Sequence, residues 1–127
     1  MSRILVTGGA GFIASDLALR LAEDPKNEVV VVDNLLTGEI GHIHSPGHKN
    51  LHFIKCDVNR FEDISGVFYA YRFDHVFHYA AMVGVKRTTD NPVQVLRDTD
   101  GIRNILDLSK NTGVKRVIFS SSSEVYG

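Results

Sequence analysis

Two clusters of residues could do chemistry, and the first sits near the start of the chain. The apolar run "RILVT", Arg3 to Thr7, breaks into "GGAGFIAS". Gly9, Gly11 and Ala14 fit the spacing G-x-G-x-x-A, and Gly8, Gly11 and Ala14 fit G-x-x-G-x-x-A. A strand that turns sharply into a helix needs positive φ. A pyrophosphate that reaches the amides at the helix N-terminus needs backbone without side chains. A small residue at position 14 lets the helix lie close to the sheet. Glycines at such a turn are often only a turn. Asp33 adds the missing partner, because it ends the next apolar run about 20 residues further on. A carboxylate there accepts hydrogen bonds from both adenosine ribose hydroxyls and repels a 2′-phosphate, so the pattern points to NAD rather than NADP. Arg3 is too far back to favour the phosphorylated cofactor, and no arginine lies between Asn34 and Asn50.

The second cluster closes the chain. "FSSSSEVYG" sets Ser120 to Ser123, Glu124 and Tyr126 at the end of an apolar run. Read alone, it is a serine-rich turn satisfying its own backbone, with Glu124 free to cap a following helix. Histidines form a third group: His42, His44 and His48 share one stretch, with His52, His75 and His78 elsewhere. No cysteine or second tight pair joins them, so no metal site is expected. His75 and His78 read as packed or hydrogen-bonded residues. The single cysteine, Cys56, excludes an internal disulfide and reads as a small buried residue at a strand end.

The elements that must position these groups follow from periodicity. Arg3–Thr7 is a strand. From Phe12 the period changes, with Ile13, Leu17 and Leu21 on one face beside Ala14, Ala18 and Ala22, a helix that Pro25 ends. Glu28–Asp33, "EVVVVD", is a strand covered on both faces. Asn34–Asn50 is a long loop rich in Gly, Ser and His. Leu51–Cys56 is a third strand, followed by a helix to about Tyr71 with Asp57 or Asn59 as its cap. Asp74–Ala81 is a fourth strand. Pro92 opens a helix that runs to Asn111 with Val95, Ile102, Ile105 and Leu106 on one side, and Gly113 stops it. Lys115–Ser120 is a fifth strand. This alternation implies an α/β fold, a mostly parallel sheet with helices on both faces.

The totals suit one soluble domain of 127 residues, with 43% hydrophobic and 23% charged residues and a net charge of -1. Nothing in that balance recruits nucleic acid or an acidic membrane, and Lys86-Arg87 and Lys115-Arg116 read as solvated surface. The N-terminus is too short in apolar residues for a signal peptide and no stretch reaches transmembrane length, so the default location is cytoplasmic.

Taken in order, "TGGAGFIAS", "VVDNLLTG", "CDVNR", "HYAAMVGVKRTTDNP" and "RVIFSSSSEVYG" resemble the extended short-chain dehydrogenase/reductase family of NAD-dependent sugar-nucleotide epimerases and dehydratases. The likeness covers nearly the whole chain. It implies a Rossmann-like doubly wound parallel sheet, of which residues 1–127 are the NAD-binding part with about five strands. It also implies hydride abstraction from C4 of a nucleotide sugar, most simply a UDP-sugar, with NAD regenerated. By resemblance, Gly8, Gly11, Phe12 and Ile13 form the pyrophosphate loop, and Asp33 and Asn34 contact the adenosine ribose. Asp57 and Val58 flank the adenine, with Asp57 accepting from its amino group. Tyr79, Ala80 and Ala81 lie along the cofactor, Ser120 and Ser121 near the nicotinamide ribose. Ser122 matches the residue that hydrogen-bonds the sugar hydroxyl being oxidised, and Glu124 a carboxylate that could move protons near a 4-keto sugar.

"SSEVYG" is similar to the segment of UDP-glucuronate decarboxylases, an alternative activity; the 4,6-dehydratases carry an acid pair here, with an aspartate where Ser123 stands beside the glutamate matched by Glu124. Ala14 stands where many members have glycine. Asp98 and Ile102 occupy positions of the family's Asn-x-x-Gly-Thr, a departure that bears on activity rather than fold. The family's base is the tyrosine of a Tyr-x-x-x-Lys pair, whose lysine lowers the phenol pKa. Tyr69, Tyr71 and Tyr79 are followed at that spacing by Phe73, His75 and Val83, and Tyr126 by nothing. The expectation is therefore the N-terminal part of a longer enzyme, without its substrate domain, that binds NAD but does not turn over alone; a non-catalytic NAD-binding module is the competing reading. The helix from Pro92 resembles one that pairs across a family homodimer.

Overall fold

The computed structural model describes residues 2–8, 12–33, 49–79 and 92–119, with 12–13 and 92–99 as backbone only. Among the described residues there are five strands, β1 (Ser2–Thr7), β2 (Asn27–Asp33), β3 (Leu51–Lys55), β4 (His75–His78) and β5 (Arg116–Phe119), and three helices, α1 (Phe12–Ala22), α2 (Phe61–Tyr71) and α3 (Pro92–Thr112). The strands form one sheet in the order β3-β2-β1-β4-β5, every neighbouring pair parallel. The first strand of the chain is thus the middle of the sheet. This is the expected doubly wound architecture, with boundaries within a few residues of those read from periodicity.

Alternation along the strands divides the core. Ile4, Val6, Val29 and Val31 face α1, where Ala14, Ala18 and Ala22 keep the helix close. Leu5, Val30, Val32 and Val76 face the other way, against Ile64, Val67 and Phe68 of α2 and Ile105 and Leu108 of α3. Because both faces are covered, β2 can be valine from residue 29 to residue 32 without exposing any of them. Phe68 and Phe73 meet edge to face at 5.5 Å within the α2 side.

Two details differ from the periodic reading. On α3, Ile105 and Leu108 are the buried pair, whereas Ile102 and Leu106 are exposed at 38% and 46%. The helix turns its inner face through 105 and 108, an i, i+3 pair, so their apolar neighbours fall outside it. The N-cap of α2 is Arg60, without a side-chain cap bond, and not Asp57 or Asn59. The Asp57 carboxylate instead accepts from the Asn59 amide at 3.0 Å, closing a turn ahead of the helix. Helix ends elsewhere follow local chemistry. Gly113, at φ 81, ends α3 where a side chain would be strained.

The edge of the sheet where the strands begin is fastened by Asp74. Its carboxylate accepts the Arg3 amide at 2.9 Å, its own amide donates to the Arg3 carbonyl at 2.7 Å, and its carbonyl accepts from the Lys115 amide at 2.8 Å. One residue thereby joins the starts of β1, β4 and β5. Among the described residues, no helix is long and apolar enough to cross a membrane.

The Arg3 amide, and after it the Lys115 ammonium, hold the Asp74 carboxyl below the usual aspartate range despite its partial burial. Its folded pKa is depressed, so its contribution is present above the unfolded aspartate pKa and lost as pH falls through the folded one. Asp74→Asn is expected to lower the melting temperature at neutral pH. The gap to the parent should close in acid, when thermal melts are followed down through the carboxylate range. A second expectation concerns Ser109, whose Oγ is buried on α3 with no hydrogen-bond partner among the described residues. Ser109→Ala removes that desolvated hydroxyl and should raise stability by about 1 kcal/mol in urea unfolding.

Candidate functional site

A parallel sheet delivers the C-terminal ends of all its strands to one edge, and the residues that follow those ends become neighbours. Here register makes that literal. Thr7 stands between Val32 and His78, Asp33 stands opposite Lys55, and His78 opposite Phe119. The residues at or just past the strand ends are therefore Gly8, Asp33, Cys56-Asp57, Tyr79 and, in sequence, Ser120. The chain runs from β1 to β2 on one side, and β4 returns to the other side of β1. That reversal opens the crevice in which such sheets bind ligands.

Gly8 leaves β1 at φ 68, a left-handed conformation that favours glycine, while its amide still donates to the Val32 carbonyl at 2.8 Å. The strand thus stays paired up to the residue at which it turns towards α1. Asp33 closes β2 and is 8% exposed. Its carbonyl accepts the Cys56 amide at 3.0 Å, which carries the β2–β3 pairing one residue past the strand and brings the turn at Asp57 beside it. Within that turn one Asp57 oxygen is held by Asn59, and the other has no partner among the described residues. Val58 is buried at 4% in the core on the α2 and α3 side. Tyr79 is half-buried, and packs on the α1 side of the sheet.

On the β4 side the sheet edge is locked by residues that spacing did not single out as a site. The Tyr79 amide donates to both the carbonyl and the Oγ1 of Thr7, at 3.1 and 3.0 Å. Thr7 Oγ1 also hydrogen-bonds His78 Nδ1 at 2.8 Å, and the buried His78 ring meets Phe119 edge to face at 5.4 Å. Thr7 and His78 therefore stitch β1, β4 and β5 at the crevice. A threonine ending an apolar strand and a histidine inside another carry no spacing signal, so only their pairing reveals this role.

The structure brings together Gly8, Asp33, Asp57, Val58 and Tyr79 along one edge. Phe12 and Ile13 begin α1, described as backbone. Gly11, Asn34, Ala80, Ala81, Ser120, Ser121, Ser122 and Glu124 lie outside the described residues, as do His42, His44 and His48. The residues present fit a dinucleotide: a left-handed glycine precedes a helix N-terminus, a buried carboxylate ends the adjacent strand, and a second carboxylate keeps an oxygen free at the next.

Comparison with known proteins agrees. The family described as "NAD dependent epimerase/dehydratase family" matches residues 4–127. UDP-glucuronic acid decarboxylase 6 of Arabidopsis thaliana is 37% identical over 129 residues, covering 98% of this chain and 35% of its own length. A probable UDP-arabinose 4-epimerase of Oryza sativa subsp. japonica is 35% identical over 133 residues, covering 100% of this chain and 32% of its own. Among solved structures, the Thermus thermophilus UDP-glucose 4-epimerase in complex with NAD superposes with a TM-score of 0.83 at 35% identity, over 94% of this chain and 37% of that one. The chain thus spans about a third of the length of these relatives.

Cys56 lies among these groups but is not poised to react. Burial first, and then the carboxylates of Asp63 and Asp57, push its thiol up to about 12. Alkylation of the folded chain near pH 8 should run at least about 100-fold slower than after unfolding in urea, read by mass spectrometry. The raised pKa also has a sign in stability: its contribution is whole below the unfolded thiol pKa and is lost as pH climbs towards about 12. Cys56→Ala should flatten that alkaline decline.

Proposed function

The chain belongs to the NAD-dependent epimerase/dehydratase family, and from that premise we propose that it forms the NAD-binding part of a nucleotide-sugar epimerase. The observation that carries this reading is the adjacency of Gly8 and Asp33 across β1 and β2, with the glycine left-handed and the carboxylate buried at the same sheet edge. In this proposal Gly8, Gly11, Phe12 and Ile13 receive the pyrophosphate on backbone amides at the start of α1. Asp33 and Asn34 hold the adenosine ribose hydroxyls, and Asp57 and Val58 flank the adenine. Tyr79, Ala80 and Ala81 line the crevice beside β4, with Ser120 and Ser121 at the nicotinamide ribose. Ser122 orients the sugar hydroxyl and Glu124 moves a proton near it. NAD bound there would supply a hydride acceptor for C4 of the sugar and return that hydride, so that no net oxidation results.

A UDP-sugar is the proposed substrate class, supported by the named relatives, which are UDP-sugar enzymes. Decarboxylation of a UDP-glucuronate is a second reading, favoured by Glu124 in "SSEVYG" and by the match to UDP-glucuronic acid decarboxylases. A cytoplasmic homodimer is proposed as the assembled form, and the exposed Ile102 and Leu106 on α3 support that helix as its contact. Neither nucleic acid nor a membrane is proposed as a partner, in keeping with a net charge of -1. The 127 residues hold no Tyr-x-x-x-Lys pair, so the chain by itself is proposed to bind cofactor without turning over substrate.

Titration calorimetry on the folded chain tests this. NAD should bind at least about tenfold more tightly than NADP, because the Asp33 carboxylate repels a 2′-phosphate. Asp33→Asn, which keeps the shape and removes the charge, should weaken NAD and bring the two affinities within about threefold. No heat with NAD, or equal affinities in the parent, would overturn the reading.

A further inference from the structure

We propose that Asn104 is the positioning residue for the adenine end of the cofactor site, holding the Asp57–Val58 turn from helix α3. The inference deepens the dinucleotide reading above and rests on it. The turn follows β3, which among the described residues is the outermost strand on its side of the sheet. It is closed internally by the Asn59 amide on Asp57 Oδ1 at 3.0 Å and the Arg60 amide on the Asp57 carbonyl at 3.0 Å. It is tied to the sheet through Cys56 and the Asp33 carbonyl. A hydrogen bond from α3 also holds it: Asn104 Nδ2 donates to the Val58 carbonyl at 2.9 Å.

A second feature of the same helix points to the same turn. Gly101 is buried, and a Cβ there would collide with Asn59 Oδ1 and come within 3.1 Å of Val58 Cγ2. The backbone of α3 therefore rests directly on the turn, with Gly101 and Asn104 one helical turn apart on the contacting face. With Oδ1 of Asp57 engaged by Asn59, the other oxygen is the one available to the adenine amino group. Its direction depends on the backbone at residues 57 and 58, which the Asn104 bond restrains. Gly8 and Asp33 are held by different contacts, the pairing of β1 with β2, and do not depend on α3.

This separates a positioning role from general support. Loss of stability alone would weaken every dinucleotide alike, whereas loss of the held turn removes preference for the amino group. The probes are NAD and nicotinamide hypoxanthine dinucleotide, in which a ring carbonyl replaces that amino group. The parent chain should prefer NAD by about tenfold, since a site built to accept from an N–H rejects the analogue lacking it. Asn104→Leu, similar in size but without the donor, should bring the ratio to about twofold or less while affinity for the hypoxanthine cofactor holds. Gly101→Ala, which lifts α3 from the turn with Asn104 intact, should shrink the ratio in the same direction, and it serves if the leucine variant does not fold. An unchanged ratio in a folded variant overturns the role of Asn104 alone. A parent that binds NAD without preferring adenine overturns the assignment of Asp57, and with it this inference. A parent that binds neither dinucleotide overturns the cofactor reading beneath both.

Discussion

Parallel pairing of β1 with a strand on each side is the constraint from which the rest follows. A parallel ladder needs a crossover for every strand, and crossovers put helices on the faces. With both faces covered, the strands must be apolar on both sides, which is why β1 and β2 are nearly continuous runs of Ile, Leu and Val. Their polar groups are then pushed to the ends, and because the strands run the same way, those ends coincide. Asp33 and Thr7 are buried polar residues at that edge, and Asp74 does the equivalent fastening at the opposite one.

The division of labour between the two edges is chemical. At the start of the strands, Asp74 is consumed by backbone amides of its neighbours and by Lys115, so its charge is spent on holding the sheet together. At the far edge, one Asp57 oxygen has no partner among the described residues, and Gly8 leaves its strand bare of side chain. Groups that are satisfied internally stabilise; groups left with valence beside a crevice stay able to bond elsewhere. Cys56, between Asp33 and Asp57, belongs to the first kind, because burial and neighbouring carboxylates keep it protonated.

Much of the fold was legible from the chain alone, and the reason lies in particular residues. The valines of β2 and the alanines of α1 admit one reading each, and Gly113 marks the end of α3 by the conformation it alone tolerates readily. The inward face of α3 was less legible, since Ile102, Ile105, Leu106 and Leu108 are all apolar and only packing decides that 105 and 108 go inside. The cap of α2 is hidden for a related reason: Asp57 is a good cap, but its carboxylate accepts the Asn59 backbone amide and closes a turn before the helix, while the Asn59 side chain lies against Gly101 of α3. At the candidate site, Gly8 and Asp33 announce themselves by type and spacing, and Asp57 by the family resemblance. Thr7, His78 and Asn104 do not, because each acts through a contact between segments far apart in sequence, with separations of 71 and 46 residues. No local pattern encodes such a pairing.

That the opening strand is also the middle one has a consequence for biosynthesis. Ser2–Thr7 leaves the ribosome about seventy residues ahead of its partner on one side, His75–His78. At roughly 5–20 residues per second that is a wait of about 4–14 s, during which α1, β2 and α2 can already pack on Ile4, Leu5 and Val6 but the β4 side of the β1 ladder stays unpaired. A nascent chain in that interval presents an open ladder of amides and carbonyls beside an apolar ribbon, the form that chaperones hold and that aggregation recruits. Pairing with β4 then closes that side of β1 and in the same step sets His78 and Tyr79 against Thr7, so covering the open ladder and shaping the rim of the crevice coincide in the life of this chain.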